Sequence, residues 1–244
     1  MSMIFKPSSD EFLLYNGGII LNPEELNNTV HDIFFESNSR LQRGKATYIE
    51  NAGLSLVLKH YYRGGIVARF SRDKYLWTGL RQTRAFKEFH LLEAMKVLSL
   101  PVPVPIAARI KHQGLSYSAD LITQRIVNST ALGELLKYDE VDISVWNAIG
   151  QMIRLFHWHG VYHADLNANN ILVAESQQLY LIDFDKSYFR MKKESWMQQM
   201  LERLKRSLDK FKNNSNDYHF SDENWTNLMA GYTGPQPELS SLQG

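Results

Sequence analysis

The chain has 244 residues, of which 44% are hydrophobic and 22% charged, and it contains no cysteine. That composition excludes a disordered or collagen-like whole, and the missing cysteine excludes disulfides, thiolate metal sites and a cysteine nucleophile. The net charge is only +1, but residues 59–87 set Lys59, Arg63, Arg69, Arg72, Lys74, Arg81, Arg84 and Lys87 against Asp73 alone, and residues 186–212 are basic as well. Two basic blocks in a near-neutral chain point to an anionic partner. No apolar run reaches the ~18 residues of a membrane-spanning helix, and residues 1–10 lack a secretory start, so a cytoplasmic protein is expected.

In chain order, residues 11–21 alternate weakly and predict strand around a Gly17-Gly18 turn. Residues 23–35 predict a helix, with Asn22 as cap and Pro23 in the first turn. Residues 46–49 and 54–59 predict a hairpin about Asn51-Ala52-Gly53. A long helix is expected over 81–98, from the spacing of Phe86, Phe89, Leu92 and Met95. Pro101, Pro103 and Pro105 then force extended chain. Residues 106–111 and 115–122 predict strands around Gly114. After Gln124 the pattern turns helical, over 132–136, 145–158 and 196–211, with short strands at 171–173 and 179–182. A strand-rich first half and a helical second half make an α+β fold of two lobes with a cleft between them. The expected division is residues 1–123, a connecting segment 124–129, and residues 130–244.

The chemistry concentrates in His163-Ala164-Asp165-Leu166-Asn167-Ala168-Asn169-Asn170, which precedes the first of the two short strands. Asp183-Phe184-Asp185 follows the second. A hairpin brings its own ends together, so Asp165, Asn170 and Asp183 are expected to converge. Two carboxylates and an amide oxygen are hard donors, suited to Mg²⁺ and poorly suited to Zn²⁺.

This pattern resembles the catalytic set of eukaryotic-type protein kinases, H-R-D-x-x-x-x-N followed by D-F-G. The resemblance implies a two-lobed kinase-like fold. It also implies that Asp165 accepts the proton of the acceptor hydroxyl and that Asn170 and Asp183 hold Mg²⁺ on the phosphates of ATP. Lys59 takes the place of the phosphate-contacting lysine, with Glu88 preferred over Glu93 as its helix partner. Arg43, Gly44 and Lys45 stand where a phosphate-covering loop is expected, with one glycine instead of three. Gln124-Arg125-Ile126 would meet the adenine with its backbone. Two positions depart from the pattern. Ala164 replaces the arginine, which removes the partner of an activating loop phosphate, and Asp185 replaces the glycine, which sets a third carboxylate beside the metal site.

A denser resemblance links Lys59-His60-Tyr61-Tyr62-Arg63-Gly64-Gly65, Arg72-Asp73-Lys74-Tyr75-Leu76-Trp77-Thr78-Gly79-Leu80, Thr83-Arg84-Ala85-Phe86 and the two loops to bacterial 3-deoxy-D-manno-octulosonic acid (Kdo) kinases. It runs from about Gly44 to Lys210. It implies transfer of the ATP γ-phosphate to the 4-hydroxyl of Kdo on a lipid A precursor, in lipopolysaccharide core assembly. It also implies peripheral attachment to the cytoplasmic face of the anionic inner membrane, with no nucleic-acid partner. Arg63, Arg72, Arg81 and Arg84 are then expected to face the anionic acceptor, and Tyr75 and Trp77 to stack on sugar or sit at headgroup level. The helix at 196–211, apolar on one side with basic residues between, is compatible with lying on a membrane, although such a stripe more often packs into a core. The alternatives are another kinase-fold phosphotransferase, acting on a core heptose or on protein, and a catalytically dead docking protein.

Overall fold

The computed structural model describes residues 2–19, 47–51, 53–62, 74–215 and 217–234. The helix expected over 23–35 lies outside the described residues. The chain divides into two compact units, one formed by residues up to Val97 with Pro103–Val127, the other by Leu98–Val102 with the chain from Asn128 onward. Helices and antiparallel sheets together make an α+β protein.

The first unit is built on a seven-stranded sheet. Its strands are β1 (Ser2–Phe5), β2 (Glu11–Asn16), β3 (Thr47–Asn51), β4 (Leu54–His60), β5 (Tyr75–Leu76), β6 (Pro105–Gln113) and β7 (Ser116–Gln124). The order is β1-β2-β6-β7-β4-β3, with β5 also pairing to β7, and every pairing is antiparallel. The expected hairpin forms, with Asn51 opposite Leu54 and Thr47 opposite Leu58. The strand before Gly17 ends at Asn16, where a turn begins. Successive side chains of a strand take opposite faces. In β4, Leu56 and Leu58 therefore enter the core formed with Leu13, Tyr15, Ile106, Ala107 and Ile122, while Lys59 faces the other way.

On that other face lies helix α1 (Arg84–Val97), which packs on β6 and β7. It begins three residues later than the apolar spacing suggests. Leu80–Gln82 forms a separate 3₁₀ turn, and buried Thr83 stays extended, returning its hydroxyl to the Leu80 carbonyl at 2.7 Å. The sheet also carries a buried ionic group. Arg109 donates Nε and Nη2 to Asp120 Oδ2 at 3.0 and 2.9 Å, and His60 Nδ1 lies 2.5 Å from Asp120 Oδ1.

The second unit is mainly helical. It contains β8 (Ser129–Ala131), α2 (Leu132–Leu135), α3 (Ile143–Trp158), β9 (Val161–Tyr162), β10 (Ile171–Ala174), β11 (Leu179–Leu181), β12 (Tyr188–Phe189), α4 (Glu194–Asn214) and α5 (Asp222–Thr233). Asp142 caps α3 by accepting from the Ser144 amide at 2.7 Å. Helices α3 and α5 approach so closely at Gly150 and Gly231 that a β-carbon at either would overlap the backbone of the other helix. Ser221 caps α5 in a reciprocal box with Asn224. Of the two uses open to the apolar stripe of α4, core face or membrane face, the structure shows the core: Trp196, Met200, Leu201, Leu204 and Leu208 are all buried in this unit. Among the described residues no helix is long and apolar enough to cross a membrane.

Candidate active site

The first unit brings Lys59 and Glu88 together. Ala85, Glu88, Phe89, Leu92 and Met95 share the buried stripe of α1, so one carboxylate is placed among apolar side chains. Glu88 is only 4% exposed, and a buried charge requires a partner. Lys59 Nζ meets both of its oxygens at 2.9 Å, and the Tyr61 hydroxyl donates to Oε2 at 2.6 Å. The ammonium also lies 5.0 Å from the centre of the Tyr61 ring. Glu93 points elsewhere, with His90 Nδ1 at 3.0 Å.

Of the residues expected to face an acceptor, Tyr75, Trp77 and Arg84 make contacts within this unit. Arg84 donates to the Tyr75 hydroxyl at 2.5 Å, and its guanidinium lies over the rings of Tyr75 and Tyr61 at 5.0 and 5.4 Å. Trp77 stacks on Phe12 at 6.0 Å and packs on His112 at 4.2 Å, in an aromatic cluster on the sheet. Arg81 is exposed in the 3₁₀ turn. Arg43, Gly44, Lys45, Arg63 and Arg72 lie outside the described residues. Gln124 ends β7 opposite Leu56, with its amide donating to the Val104 carbonyl at 2.8 Å; half-buried Ile126 lies two residues beyond.

In the second unit the hairpin β10–β11 pairs Ile171 with Leu181. The residues just outside that pair continue the ladder, since the Ile182 amide donates to the Asn170 carbonyl at 3.0 Å. Asn170 and Asp183 are therefore carried at the same end of the hairpin. Buried Asn170 donates Nδ2 to the Asp165 carbonyl at 2.9 Å. Only the amide nitrogen can make that bond, so the amide oxygen is the atom left to accept or to ligate. Asn167 ties the same turn, donating to the Asp165 carbonyl at 3.0 Å and accepting from the Asn169 amide at 2.9 Å. Leu166 and Ala168 anchor the turn in the core.

His163 is structural. Its Nε2 donates to the Ile182 carbonyl at 3.0 Å, and its Nδ1 accepts from the Asp165 amide at 3.2 Å, a pairing that puts the ring proton on Nε2. Asp183 has a φ of 63°, in the left-handed region that few side chains adopt. The next residue holds that conformation in place. Phe184 is buried, stacking on Phe156 of α3 at 6.0 Å and meeting His163 edge-on at 4.8 Å.

The donor set Asn170 and Asp183 is all oxygen and partly preorganised, which fits Mg²⁺. Among the described residues no three His, Cys, Asp or Glu side chains gather in a metal-holding cluster.

Three further side chains that sequence reasoning missed contact the turn carrying Asp165. Arg203 of α4 places Nη1 3.8 Å from Asp165 Oδ1. Ser207, one turn on, accepts from the Ala168 amide at 3.2 Å, and Ser187 accepts from the Ala164 amide at 3.0 Å. The spacing of Arg203 and Ser207 on one helix face was the only sequence signal of this contact.

A lysine–glutamate pair on a strand and helix, with an aspartate loop and an Asp-Phe turn flanking a hairpin, defines a kinase-like phosphotransferase. A sequence model of the lipopolysaccharide kinase (Kdo/WaaP) family matches residues 25–232. The chain belongs to that family. It is 41% identical over 185 residues to the 3-deoxy-D-manno-octulosonic acid kinase of Haemophilus influenzae, covering 74% of this chain and 76% of that one. Proteins of the same description from Photobacterium profundum (39%, covering 79% and 81%) and Vibrio vulnificus (36%, covering 80% and 81%) are similar too.

Proposed function

We propose that the chain transfers the γ-phosphate of ATP to the 4-hydroxyl of a Kdo sugar on a lipid A precursor. The observation that carries this reading is the hairpin register that sets Asn170 and Asp183 at one end, beside an Asp165 turn pinned by Asn170, in a chain so similar to Kdo kinases. Asp165 orients the acceptor hydroxyl and takes its proton as the new oxygen–phosphorus bond forms. The bond from the γ-phosphorus to the β-phosphate oxygen breaks, and ADP leaves. Lys59, held by Glu88 and Tyr61, contacts the phosphates. Asn170 and Asp183 hold Mg²⁺, which when bound neutralises charge on the phosphate oxygens. Arg81, with Arg63 and Arg72, supplies cations toward the acidic acceptor. A lipid-linked acceptor and a nucleotide from the cytoplasm place the work at the cytoplasmic face of the inner membrane, as a peripheral protein.

The test is mass spectrometry of the lipid A–core product after incubation with ATP. One added phosphate located on Kdo is expected. Phosphate on a heptose, on protein, or on nothing overturns the reading. Asp165→Ala should abolish transfer while ATP still binds, and normal turnover by that variant would remove Asp165 from its role.

A further inference from the structure

The segment between Asp183 and α4 carries an unusual surface. From Lys186 to Lys193 the sequence is Lys-Ser-Tyr-Phe-Arg-Met-Lys-Lys, with no acidic residue. Tyr188, Phe189 and Met191 are 48%, 42% and 83% exposed, and Trp158, at the end of α3, is 55% exposed. Such side chains in water are costly, and apolar groups rimmed by cations mark a contact surface.

The backbone beneath them is tied down. Tyr188 and Phe189 pair with Tyr162 and Val161. The Arg190 amide donates to the Gly160 carbonyl at 2.7 Å, and the Trp196 indole donates to the Met191 carbonyl at 2.9 Å. Gly160 has a φ of 70°, and a β-carbon there would press on the Arg190 carbonyl, so only glycine admits this close passage. Lys192 lies 4.0 Å from the centre of the Trp158 ring, which joins the helix end to the segment in one patch. The exposed side chains are thus presented by a fixed scaffold.

The patch also adjoins the candidate catalytic turn, because Ser187 within it holds the Ala164 amide next to Asp165. We propose that Trp158, Phe189 and Met191, with Lys186, Lys192 and Lys193, form the face that docks on an anionic phospholipid surface. Aromatic and thioether side chains enter the headgroup boundary while the cations meet lipid phosphate. The charge favours anionic lipid over a neutral one, and a lipid-linked acceptor would meet Asp165 beside this face. The docking names the face that serves the peripheral placement proposed above, and the meeting with the acceptor rests on the same reading.

The full chain would be sedimented with vesicles of phosphatidylcholine mixed with phosphatidylglycerol, and with phosphatidylcholine alone. Binding to the mixed vesicles that weakens as salt is raised is expected. Lys192→Gln with Lys193→Gln should lower the partition coefficient roughly 30-fold, and Phe189→Ser with Met191→Ser roughly tenfold. The same double change at Lys87 and Lys96 of α1 serves as the control and should have little effect. Thermal melts would check that each variant is folded. Asp165→Ala should bind vesicles like the parent, so loss of the catalytic reading and loss of the docking face are told apart. The proposal is overturned if the parent ignores anionic vesicles, if the patch variants bind as it does, or if the control pair weakens binding equally. The first of these outcomes would make the patch a protein contact.

Discussion

Glu88 shows how one buried carboxylate sets the position of a cation. Its two oxygens hold Lys59 at equal distance, and Tyr61 fixes the carboxylate from the side. Glu88→Gln replaces one acceptor oxygen with a donor that faces the ammonium. Loss of the lysine's position should lower kcat/KM roughly 100-fold, the scale of a misplacement of about 1 Å. Steady-state kinetics with varied ATP would show it, and an unchanged kcat/KM would detach the pair from phosphate transfer.

His157 makes a different kind of prediction. It is buried against Trp196 and Tyr232, and burial pushes its imidazole down to about 4 from an ordinary 6.5. The folded state therefore binds fewer protons than the unfolded chain between those values. Stability is fully present above pH 6.5 and is lost as pH falls toward 4, by up to about 3 kcal/mol for this group. Denaturant titrations across that window should show a flatter slope for His157→Gln than for the parent. The choice between Glu88 and Glu93 was legible in principle, because Glu88 shares the stripe of Ala85, Phe89 and Leu92 while Glu93 does not. The contact of Arg203 with Asp165 was much less so, because the shared helix face of Arg203 and Ser207 does not say which loop it meets.

At the scale of elements, patterns of period two and strong helical spacing were readable. The β3–β4 hairpin, β6, β7, α1, α3 and α4 all lie close to their expected positions. What escaped notice was short or lacked an apolar stripe. Strands β9 and β12 have two residues each and exist only because they pair with one another. Helix α5 is polar over much of its length and contains Gly231, a poor helix former, and its one sequence signal was Ser221 three residues before Asn224. The glycine is required by the neighbour. Gly231→Ala forces α3 and α5 apart and should cost about 1–3 kcal/mol, as overpacking does, seen as a fall in Tm.

The ionic group between β6, β7 and β4 was equally invisible, since Arg109, Asp120 and His60 come from three strands. Asp120→Ala takes the nearest carboxylate from buried Arg109, leaving Glu11 Oε1 at 3.9 Å, and should cost about 3 kcal/mol in chemical denaturation. Replacing Arg109 and Asp120 together with apolar residues of similar size should cost much less.

Across the whole molecule, each unit carries its own share of the chemistry: the Lys59–Glu88 pair is complete within the first, and the Asp165 turn with the β10–β11 hairpin is complete within the second. The stretch from Asp183 to the start of α4 has a bearing on regulation. Ser187, Arg190 and Met191 fasten it to Ala164, Gly160 and Trp196 in turn. A strap so short and so often fastened has no slack to swing between an idle and a working arrangement, and Ala164 offers no arginine to grip a phosphorylated residue on it. Progress curves should start at full velocity, without a lag, and prior treatment with phosphatase should change nothing. Output would then be metered by the delivery of acceptor, as with a workshop that never closes and waits only on its deliveries.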